Sequence, residues 1–487
     1  MDEILKIKAN DLRSKICSGE VKSLNIVKAC VTRIKKTDSK IRSFLKLNEN
    51  KLLEQEATCS DKKIESGKKC GSLEGIPIGI KDNIMMKGES MTSASKYLEN
   101  YISPYDATVI EKLKKAGAIF IGRTNMDEFA MGGSTETSAY QKTTNPWSLE
   151  HIPGGSSGGS AAAVSMGMVP FALGSDTGGS VRQPASFCGI VGYKPSYGLI
   201  SRYGVCALAS SFDQVGTLSK NVKDSALLAS IVMGKDYKDP VCEPREQIDC
   251  ISYIDDNLEV LKSVKVGIPR QLFNYKMDTE ISENFNKAVD KFKFLSVKIV
   301  EVDIPSYKYI PALYKIIMCA EVSANIATFD GIRYGYRALN AENLDDEYAK
   351  SRAESLGYEV KKRILFGTYV LGAKNYYRCY HQAQKVRTLL INQISDAYKK
   401  CDFIFSPATL QMPVKFGETL SEECDVFLIA ANLAGLPGIT VPYNFTNSSM
   451  PVGMHFMGSR FSDVKLFQIA NAFEKISDFD LNKYPEL

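Results

Sequence analysis

Two glycine- and serine-rich segments near the middle of the chain contain hydroxyl groups that could attack a carbonyl carbon. They span residues 153–160 and 174–180, and their central candidates are Ser156 and Ser180. A serine becomes a useful nucleophile only when a base accepts its proton. Glycine-rich loops also form ordinary turns or close backbone contacts, so these segments alone leave both interpretations open. The choice between them depends on which base the sequence supplies.

Histidine is a common base for a serine nucleophile, but the three histidines of this chain do not suit that role. Residues 154–158 satisfy the G-x-S-x-G pattern of α/β-hydrolases, which require an acid and then a histidine further along the chain. His381 lies in a tyrosine-rich helical stretch, and His455 lies in an alternating, sheet-like stretch. We interpret these two as packing residues and His151, which precedes both segments, as a loop residue.

A phosphate-binding loop is another alternative, because residues 161–164 are typical of a helix that begins directly after the first segment. The G-x-x-x-x-G-K-[ST] motif is absent, and no lysine stands where it would bind a phosphate. We therefore do not expect this loop to bind a nucleotide.

Lys81 is the candidate base. It ends an apolar, strand-like run over residues 76–80 and precedes the turn-forming pair Asp82 and Asn83. A strand of this kind would carry the lysine side chain into the interior, where burial lowers the pKa of an amine. Holding the amine neutral at pH 7 to 8 requires its pKa to fall by roughly 3 from about 10.4, which costs about 4 kcal/mol. A partly buried, ion-paired lysine is the alternative that spacing leaves open.

The elements that position these residues follow an alternating pattern between residues 75 and 219. Short apolar runs alternate there with helix-like segments and turns, at residues 76–80, 118–121 and 169–173. This alternation is typical of an α/β sheet protein. Helical spacing predicts helices within residues 9–34 and 311–399. A strand, a helix and a second strand are predicted for residues 264–303, and single strands for 403–405 and 438–443. We predict a linker at residues 51–69 and a surface connection at 235–257.

Composition excludes several classes of protein. The net charge of +5 comes from 61 basic and 56 acidic residues, a weak field for a protein whose main role is to bind nucleic-acid backbones. The 12 cysteines form no C-x-x-C pair, so we expect reduced thiols and no metal site. No apolar run of about 18 residues and no secretory signal is present, so we expect a chain that is not secreted and lies in the bacterial cytoplasm or an organelle.

Three segments together resemble the amidase signature family: residues 75–83, 154–160 and 174–189. The order of the lysine and the two serines matches, with 24 residues from Ser156 to Ser180 and 99 from Lys81 to Ser180. The resemblance implies that Ser180 is the nucleophile, that Ser156 follows a cis peptide bond and relays the proton, and that Lys81 is the final base. It also implies the amidase signature fold, a large mixed central β-sheet sandwiched between α-helices.

We expect a single amidase domain over residues 1–487. It would comprise an N-terminal helical region at 1–70, the signature core at 75–219 and the remainder of the same α/β/α domain at 220–487. Within the core, consecutive backbone N–H groups could stabilise the oxyanion that develops on the substrate. The predicted donors are Thr177, Gly178, Gly179 and Ser180, and the two glycines leave the approach unobstructed.

Further motifs resemble one branch of this family, the glutamine-hydrolysing subunits of tRNA-dependent amidotransferases. These motifs lie at residues 125–138, 201–216, 329–335, 384–389 and 432–437. The resemblance implies glutamine as the substrate and no cofactor in this chain. It also implies B and C subunits in a heterotrimer, in which the B subunit uses ATP, Mg²⁺ and the released ammonia on Glu-tRNA(Gln), with no membrane partner. A free-standing amidase for another small amide and an inactive scaffold subunit remain alternatives.

The same resemblance assigns a glutamine site. Arg363 and Asp425 match positions that contact the α-carboxylate and α-amino groups. Further contacts are implied for Gly132, Ser134 and Tyr314. The chain departs from the usual pattern at residues 417–424, which are shorter than expected, and at Lys315, which replaces a common aromatic residue.

Overall fold

The computed structural model describes residues 3–486 of the chain. Within this range there are 11 strands in one sheet and 15 α-helices. The strands are β1 (Phe44–Leu47), β2 (Pro77–Lys81), β3 (Ile119–Thr124), β4 (Phe171–Asp176), β5 (Val191–Lys194), β6 (Gln214–Ser219), β7 (Lys265–Pro269), β8 (Lys298–Val302), β9 (Phe403–Pro407), β10 (Gly438–Phe445) and β11 (Pro451–Gly458). The helices are α1 (Ala9–Cys17), α2 (Ser23–Ile41), α3 (Asn50–Glu65), α4 (Thr108–Ala116), α5 (Gly158–Ser165), α6 (Arg182–Cys188), α7 (Val222–Val232), α8 (Glu259–Lys262), α9 (Thr279–Phe294), α10 (Ile310–Ile326), α11 (Leu344–Ser355), α12 (Tyr358–Leu371), α13 (Tyr380–Tyr398), α14 (Val426–Leu433) and α15 (Asp463–Ile476).

The sheet is mixed, with the strand order β1-β3-β2-β4-β6-β5-β10-β11-β9-β7-β8. β2 pairs in parallel with β3 and β4, whereas β4 and β6 run antiparallel. Helices cover the sheet, for example α6 against β5, β10 and β11, and α15 against β10. The predicted α/β fold with a large mixed sheet between helices is therefore confirmed.

The centre of the fold contains two short helices that are buried along their whole length. Every residue of α5 and of α6 is buried. α5 consists of glycine, serine, alanine and valine, and such small side chains let a helix lie close to the strands beneath it. α5 begins within the first glycine- and serine-rich segment and α6 begins two residues after the second, so close packing of these helices fixes both segments in place.

Most of the predicted elements are confirmed, but the linker at residues 51–69 is wrong. This stretch contains most of α3, whose buried residues are Leu53, Ala57, Ser60 and Asp61. Their spacing places them on one face of a helix, and α3 packs with that face against α2. The many charged residues on the outer face concealed the stripe in the sequence.

One disulfide joins Cys17 at the end of α1 to Cys70 in the segment after α3. The expectation that all thiols are reduced is therefore wrong for this pair. The two Cα atoms lie 5.9 Å apart, within the range that a disulfide can bridge. A separation of 53 residues gives no sign of this contact in the sequence, because the tertiary fold brings the two cysteines together. The other ten cysteines of the described chain are free. Between residues 3 and 486, we find no helix with both the length and the apolar character needed to cross a membrane.

Candidate active site

Strand β2 delivers Lys81 to the interior. All five residues of the strand are buried, and the lysine side chain is inaccessible to solvent. The neighbouring parallel strand β4 continues to Ser175 and Asp176. Because parallel strands end at the same edge of a sheet, the lysine amine and the end of β4 lie together.

Three hydroxyl groups surround the amine. Lys81 Nζ lies 2.7 Å from Ser156 Oγ, 2.8 Å from Ser157 Oγ and 2.9 Å from Ser175 Oγ. Across the part of the chain that the structure describes, no salt bridge involves Lys81, so the ion-paired interpretation is wrong. Burial lowers the pKa of Lys81 to about 7, although nearby carboxylates oppose this effect. A large fraction of the amine is therefore neutral near physiological pH.

The hydrogen bonds around the amine are compatible with its neutral form, although Lys81 Nζ also lies 3.3 Å from Ser175 O, which can only accept. The Ser157 hydroxyl donates to Ser175 O at 3.2 Å, and Ser175 N donates to Ser157 Oγ at 3.3 Å. Ser157 can then only accept from Lys81. A neutral amine has two N–H donors and one lone pair. Lys81 can thus donate to Ser157 and Ser175 and accept the proton of Ser156.

Ser156 and Ser180 lie on two loops that adjoin. The peptide bond between Gly155 and Ser156 is cis, and Ser157 N donates to Ser180 O at 3.1 Å. Ser156 is fully buried, whereas Ser180 is 8% exposed and lines a cavity of about 680 Å³. Within residues 3–486 the Ser180 hydroxyl has no hydrogen-bond partner. Ser180 is thus the serine of this group that a substrate can reach.

The segment before Ser180 offers backbone donors to the cavity. Gly178 lines the cavity, and a Cβ atom at this position would lie 2.6 Å from Tyr314 Cζ, so only glycine fits. Gly179 N donates to Asp176 Oδ1 at 2.9 Å. The N–H groups of Thr177, Gly178 and Ser180 meet no acceptor among the described residues. Two of these N–H groups, those of Gly178 and Ser180, belong to residues that line the cavity and are therefore available to a ligand, whereas Thr177 does not line it and the N–H of Gly179 is engaged.

A buried ion pair, which sequence reasoning missed, stabilises the segment that precedes Ser180. Arg182 Nη2 lies 2.9 Å from Asp176 Oδ1, and neither side chain is accessible to solvent. Burial opposes ionisation of Asp176, but the Arg182 guanidinium and Asn432 hold the pKa of Asp176 well below its usual range. Asn432 Nδ2 donates to Asp176 Oδ1 at 2.9 Å from α14, 256 residues away in sequence. No local pattern could have revealed that contact, although an acid six residues before an arginine was a possible signal.

The predicted glutamine-site residues all line the same cavity as Ser180. They are Gly132, Ser134, Tyr314, Arg363 and Asp425. Arg363 Nε donates to Glu359 at 2.9 Å. Burial raises the pKa of Asp425 to about 7, while the nearby Arg182 opposes this shift, and Asp425 Oδ1 is buried without a partner. A cation and a carboxylate thus face one cavity, as an amino-acid ligand requires.

The two departures from the family pattern meet at the cavity rim. Lys315 Nζ lies 2.6 Å from Glu422 Oε1, and both residues line the cavity. Gly417 N donates to Glu136 at 3.2 Å. The short segment 417–424 is thus attached at both sides of the opening.

None of the three histidines lines the cavity. The interpretation of His455 as a packing residue is confirmed, but that of His381 is wrong, because its side chain is exposed. His455 is buried in β11 with Nε2 3.2 Å from Arg182 Nη1, and His381 is exposed in α13. His151 lies in a loop, where its Nδ1 is 2.7 Å from Ser148 Oγ. Among the described residues, no cluster of three histidine, cysteine or acidic side chains is arranged to hold a metal ion.

Comparison with known proteins agrees with this geometry. The model of the amidase family matches residues 25–467. The A subunit of glutamyl-tRNA(Gln) amidotransferase from Endomicrobium trichonymphae is 75% identical over 100% of both chains. The A subunit of the same enzyme from Fusobacterium nucleatum is 46% identical over 97% of both chains.

Solved structures agree as well. The A subunit of glutamyl-tRNA(Gln) amidotransferase from Thermotoga maritima has a TM-score of 0.81 and 38% identity, covering 100% of this chain and 98% of its own. The peptide amidase of Stenotrophomonas maltophilia has a TM-score of 0.83 and 26% identity, covering 98% of each chain. Matches to the family model and to relatives over the full length lead to one conclusion: this chain belongs to the amidase family.

Proposed function

We propose that this chain is the glutaminase subunit of a tRNA-dependent amidotransferase and hydrolyses glutamine to glutamate and ammonia. The observation that carries the proposal is the cavity that brings the accessible Ser180 together with Arg363 and Asp425. Arg363 would bind the α-carboxylate and Asp425 the α-ammonium group, which leaves the side-chain amide to reach Ser180. Gly132, Ser134 and Tyr314 would complete the walls. The names of the full-length relatives support this substrate.

The reaction begins when neutral Lys81 accepts the proton of Ser156, to which it is hydrogen-bonded. Ser156 in turn accepts the proton of Ser180, whose hydroxyl has no partner among the described residues and must turn toward Ser156 when the substrate binds. Ser180 Oγ attacks the amide carbon, and the negative charge that develops on the carbonyl oxygen is stabilised by the N–H groups of Gly178 and Ser180. The proton returns through Ser156 to the leaving nitrogen, which departs as ammonia. Water then attacks the γ-glutamyl ester by the same relay and releases glutamate.

The ammonia would be used by a partner. We propose a heterotrimer in which a B subunit binds ATP, Mg²⁺ and Glu-tRNA(Gln) and forms Gln-tRNA(Gln), with a small C subunit completing the assembly. The weak net charge of +5 supports this division, because the tRNA-binding surface can lie on the partner. This chain then needs no cofactor of its own. The bacterial cytoplasm is the proposed location, as the relatives are bacterial subunits of the same kind.

The test uses the purified chain with and without its B and C subunits. We expect glutamate release that rises when the partners and Glu-tRNA(Gln) are added. Ser180→Ala should abolish glutamine-dependent amidation and leave ammonia-dependent amidation intact, because only the first needs the nucleophile. Loss of both activities, or of neither, would contradict the proposal, and so would efficient hydrolysis of aryl amides by the chain alone.

A further inference from the structure

Gln183 connects the two halves of the site. It lies in the first turn of α6, three residues after Ser180, and its side chain is fully buried. Gly155 N donates to Gln183 Oε1 at 2.9 Å, and Gln183 Nε2 donates to Asp425 Oδ2 at 3.2 Å. One side chain therefore joins the loop that carries Ser156 to the carboxylate at the start of α14.

The orientation of this amide is determined by its partners. A backbone N–H can only donate, so the oxygen of Gln183 must face Gly155. The NH₂ group must then face Asp425, which receives one hydrogen bond on Oδ2, while its Oδ1 is buried without a partner. The approach is close, since a Cβ atom on Gly154 would lie 2.8 Å from Gln183 Oε1. The amide cannot turn over without losing both hydrogen bonds, and its NH₂ group holds whichever oxygen of the Asp425 carboxylate lies before it.

We propose that Gln183 is a positioning residue that holds the carboxylate of Asp425 in the wall of the cavity for the α-ammonium group of the substrate. This inference rests on the proposed function and extends it: selection for an α-amino group depends on a residue that does not itself line the cavity. The same side chain ties the substrate-binding carboxylate of Asp425 to the loop of Ser156. Burial raises the pKa of Asp425 to about 7, and the Gln183 hydrogen bond opposes that rise.

The test compares two substrates in the assembled enzyme: glutamine, and glutaramate, which is glutamine without its α-amino group. Gln183→Met keeps the length of the side chain and removes both hydrogen bonds. Loss of the acceptor for Gly155 should affect both substrates alike, whereas loss of the donor to Asp425 should affect glutamine alone. We expect kcat/KM for glutamine to fall about tenfold more than kcat/KM for glutaramate, mainly because KM for glutamine rises. A difference of this size corresponds to the loss of one hydrogen bond to a charged group.

Asp425→Asn provides the matched comparison. If Gln183 acts through Asp425, the double variant Gln183→Met/Asp425→Asn should lose no more selectivity than Asp425→Asn alone. If glutaramate turnover is too slow to measure, the dissociation constants of both compounds are measured by calorimetry in Ser180→Ala enzyme, with the same ratio expected. An equal loss for both compounds, no loss, or additive effects in the double variant would overturn the inference. A wild-type enzyme that releases no glutamate would instead refute the proposed function.

Discussion

The amine of Lys81 is surrounded by the hydroxyls of Ser156, Ser157 and Ser175, all of which are buried. Hydroxyls can donate to or accept from an amine, so they tolerate both of its protonation states. A carboxylate at hydrogen-bond distance would instead hold the lysine in its charged form. The carboxylates that raise the lysine pKa act from further away, and burial dominates.

We predict that kcat/KM for glutamine rises as the pH increases through about 7. Lys81, whose pKa is lowered to about 7, accepts a proton only above that value, because below it the amine is already protonated. Asp425, whose pKa is raised to about 7, binds an ammonium group only when ionised, and it is ionised above the same pH. The deprotonation of each group therefore raises kcat/KM above this pH. Initial rates between pH 5.5 and 9 check the sign, and a rate that falls through neutrality would contradict it.

Gly178→Ala should lower kcat/KM about tenfold, because the added methyl group would lie 2.6 Å from Tyr314 Cζ and must displace the ring or the backbone donors. Steady-state kinetics measure the loss. Combining Gly178→Ala with Tyr314→Ala removes the clash with the ring. If the double variant is as active as Tyr314→Ala alone, the loss comes from displacement of the ring; if it is less active, the loss comes from displacement of the backbone donors. If the single variant keeps full activity, the backbone of this segment does not have the role proposed.

Burial of Lys81 could be predicted because it ends an apolar, strand-like run, whereas its role as the base was implied only by the resemblance to the amidase signature family. The contacts of Ser175 and Gln183 could not be predicted. Ser175 reaches the amine only because β4 lies beside β2, and Gln183 reaches Asp425 across 242 residues. Pairing between strands and approach between distant helices are determined by tertiary packing, and local patterns carry little information about them.

At the scale of elements, α6 supplies Arg182, the side chain that holds the segment with the oxyanion donors in position. Its first residue, Arg182, donates to Asp176, to Leu428 O and to Asn432 Oδ1. The helix thereby anchors β4 and α14 at the same point. A helix of seven residues has little stability of its own, so these contacts and its buried surface hold it in place.

Arg182→Met should destabilise the protein by about 3 to 5 kcal/mol, because it leaves Asp176 buried without its cation. The thermal unfolding midpoint, measured by calorimetry, should fall by several degrees. Adding Asp176→Asn removes the uncompensated charge and should restore part of the loss. If the single variant were as stable as the wild type, the buried pair would not hold the loop.

The error over α3 has a physical origin at this scale. Its outer face carries so many lysine and glutamate residues that the mean hydropathy resembles that of a linker, while the buried stripe includes Ser60 and Asp61. Asp61 is buried because it accepts hydrogen bonds from Ser23 N and Leu24 N at the start of α2. A polar residue that caps another helix cannot be recognised as part of a core from periodicity.

At the scale of the whole molecule, a single sheet contains strands from the sequence before residue 220 and from the sequence after it. Strands β2 to β6 belong to the signature core, whereas β7 to β11 come from the remainder of the chain, and β5 pairs directly with β10. We propose on this basis that residues 1–487 form a single domain. The N-terminal helices join it as well: α1 packs against α7, α2 against β2 and α3 against β3.

The Cys17–Cys70 disulfide should stabilise the oxidised protein by about 4 kcal/mol, because it closes a loop of 53 residues in the unfolded chain. Thermal unfolding with and without dithiothreitol should show a lower midpoint in the reduced protein. Cys17→Ser should abolish this difference, and Cys59→Ser, which alters an exposed free cysteine, should preserve it. Mass spectrometry under non-reducing conditions identifies the bond, and its absence would refute the prediction.

Strands β2 and β4 lie side by side within the sheet, with β3 and β6 on their outer flanks, so neither has an open edge. Backbone amides in such strands exchange with solvent only when a large part of the molecule opens. The base and the nucleophile loop are thus attached to the slowest-opening part of the fold. Catalytic capacity should therefore persist on warming until these central strands themselves open.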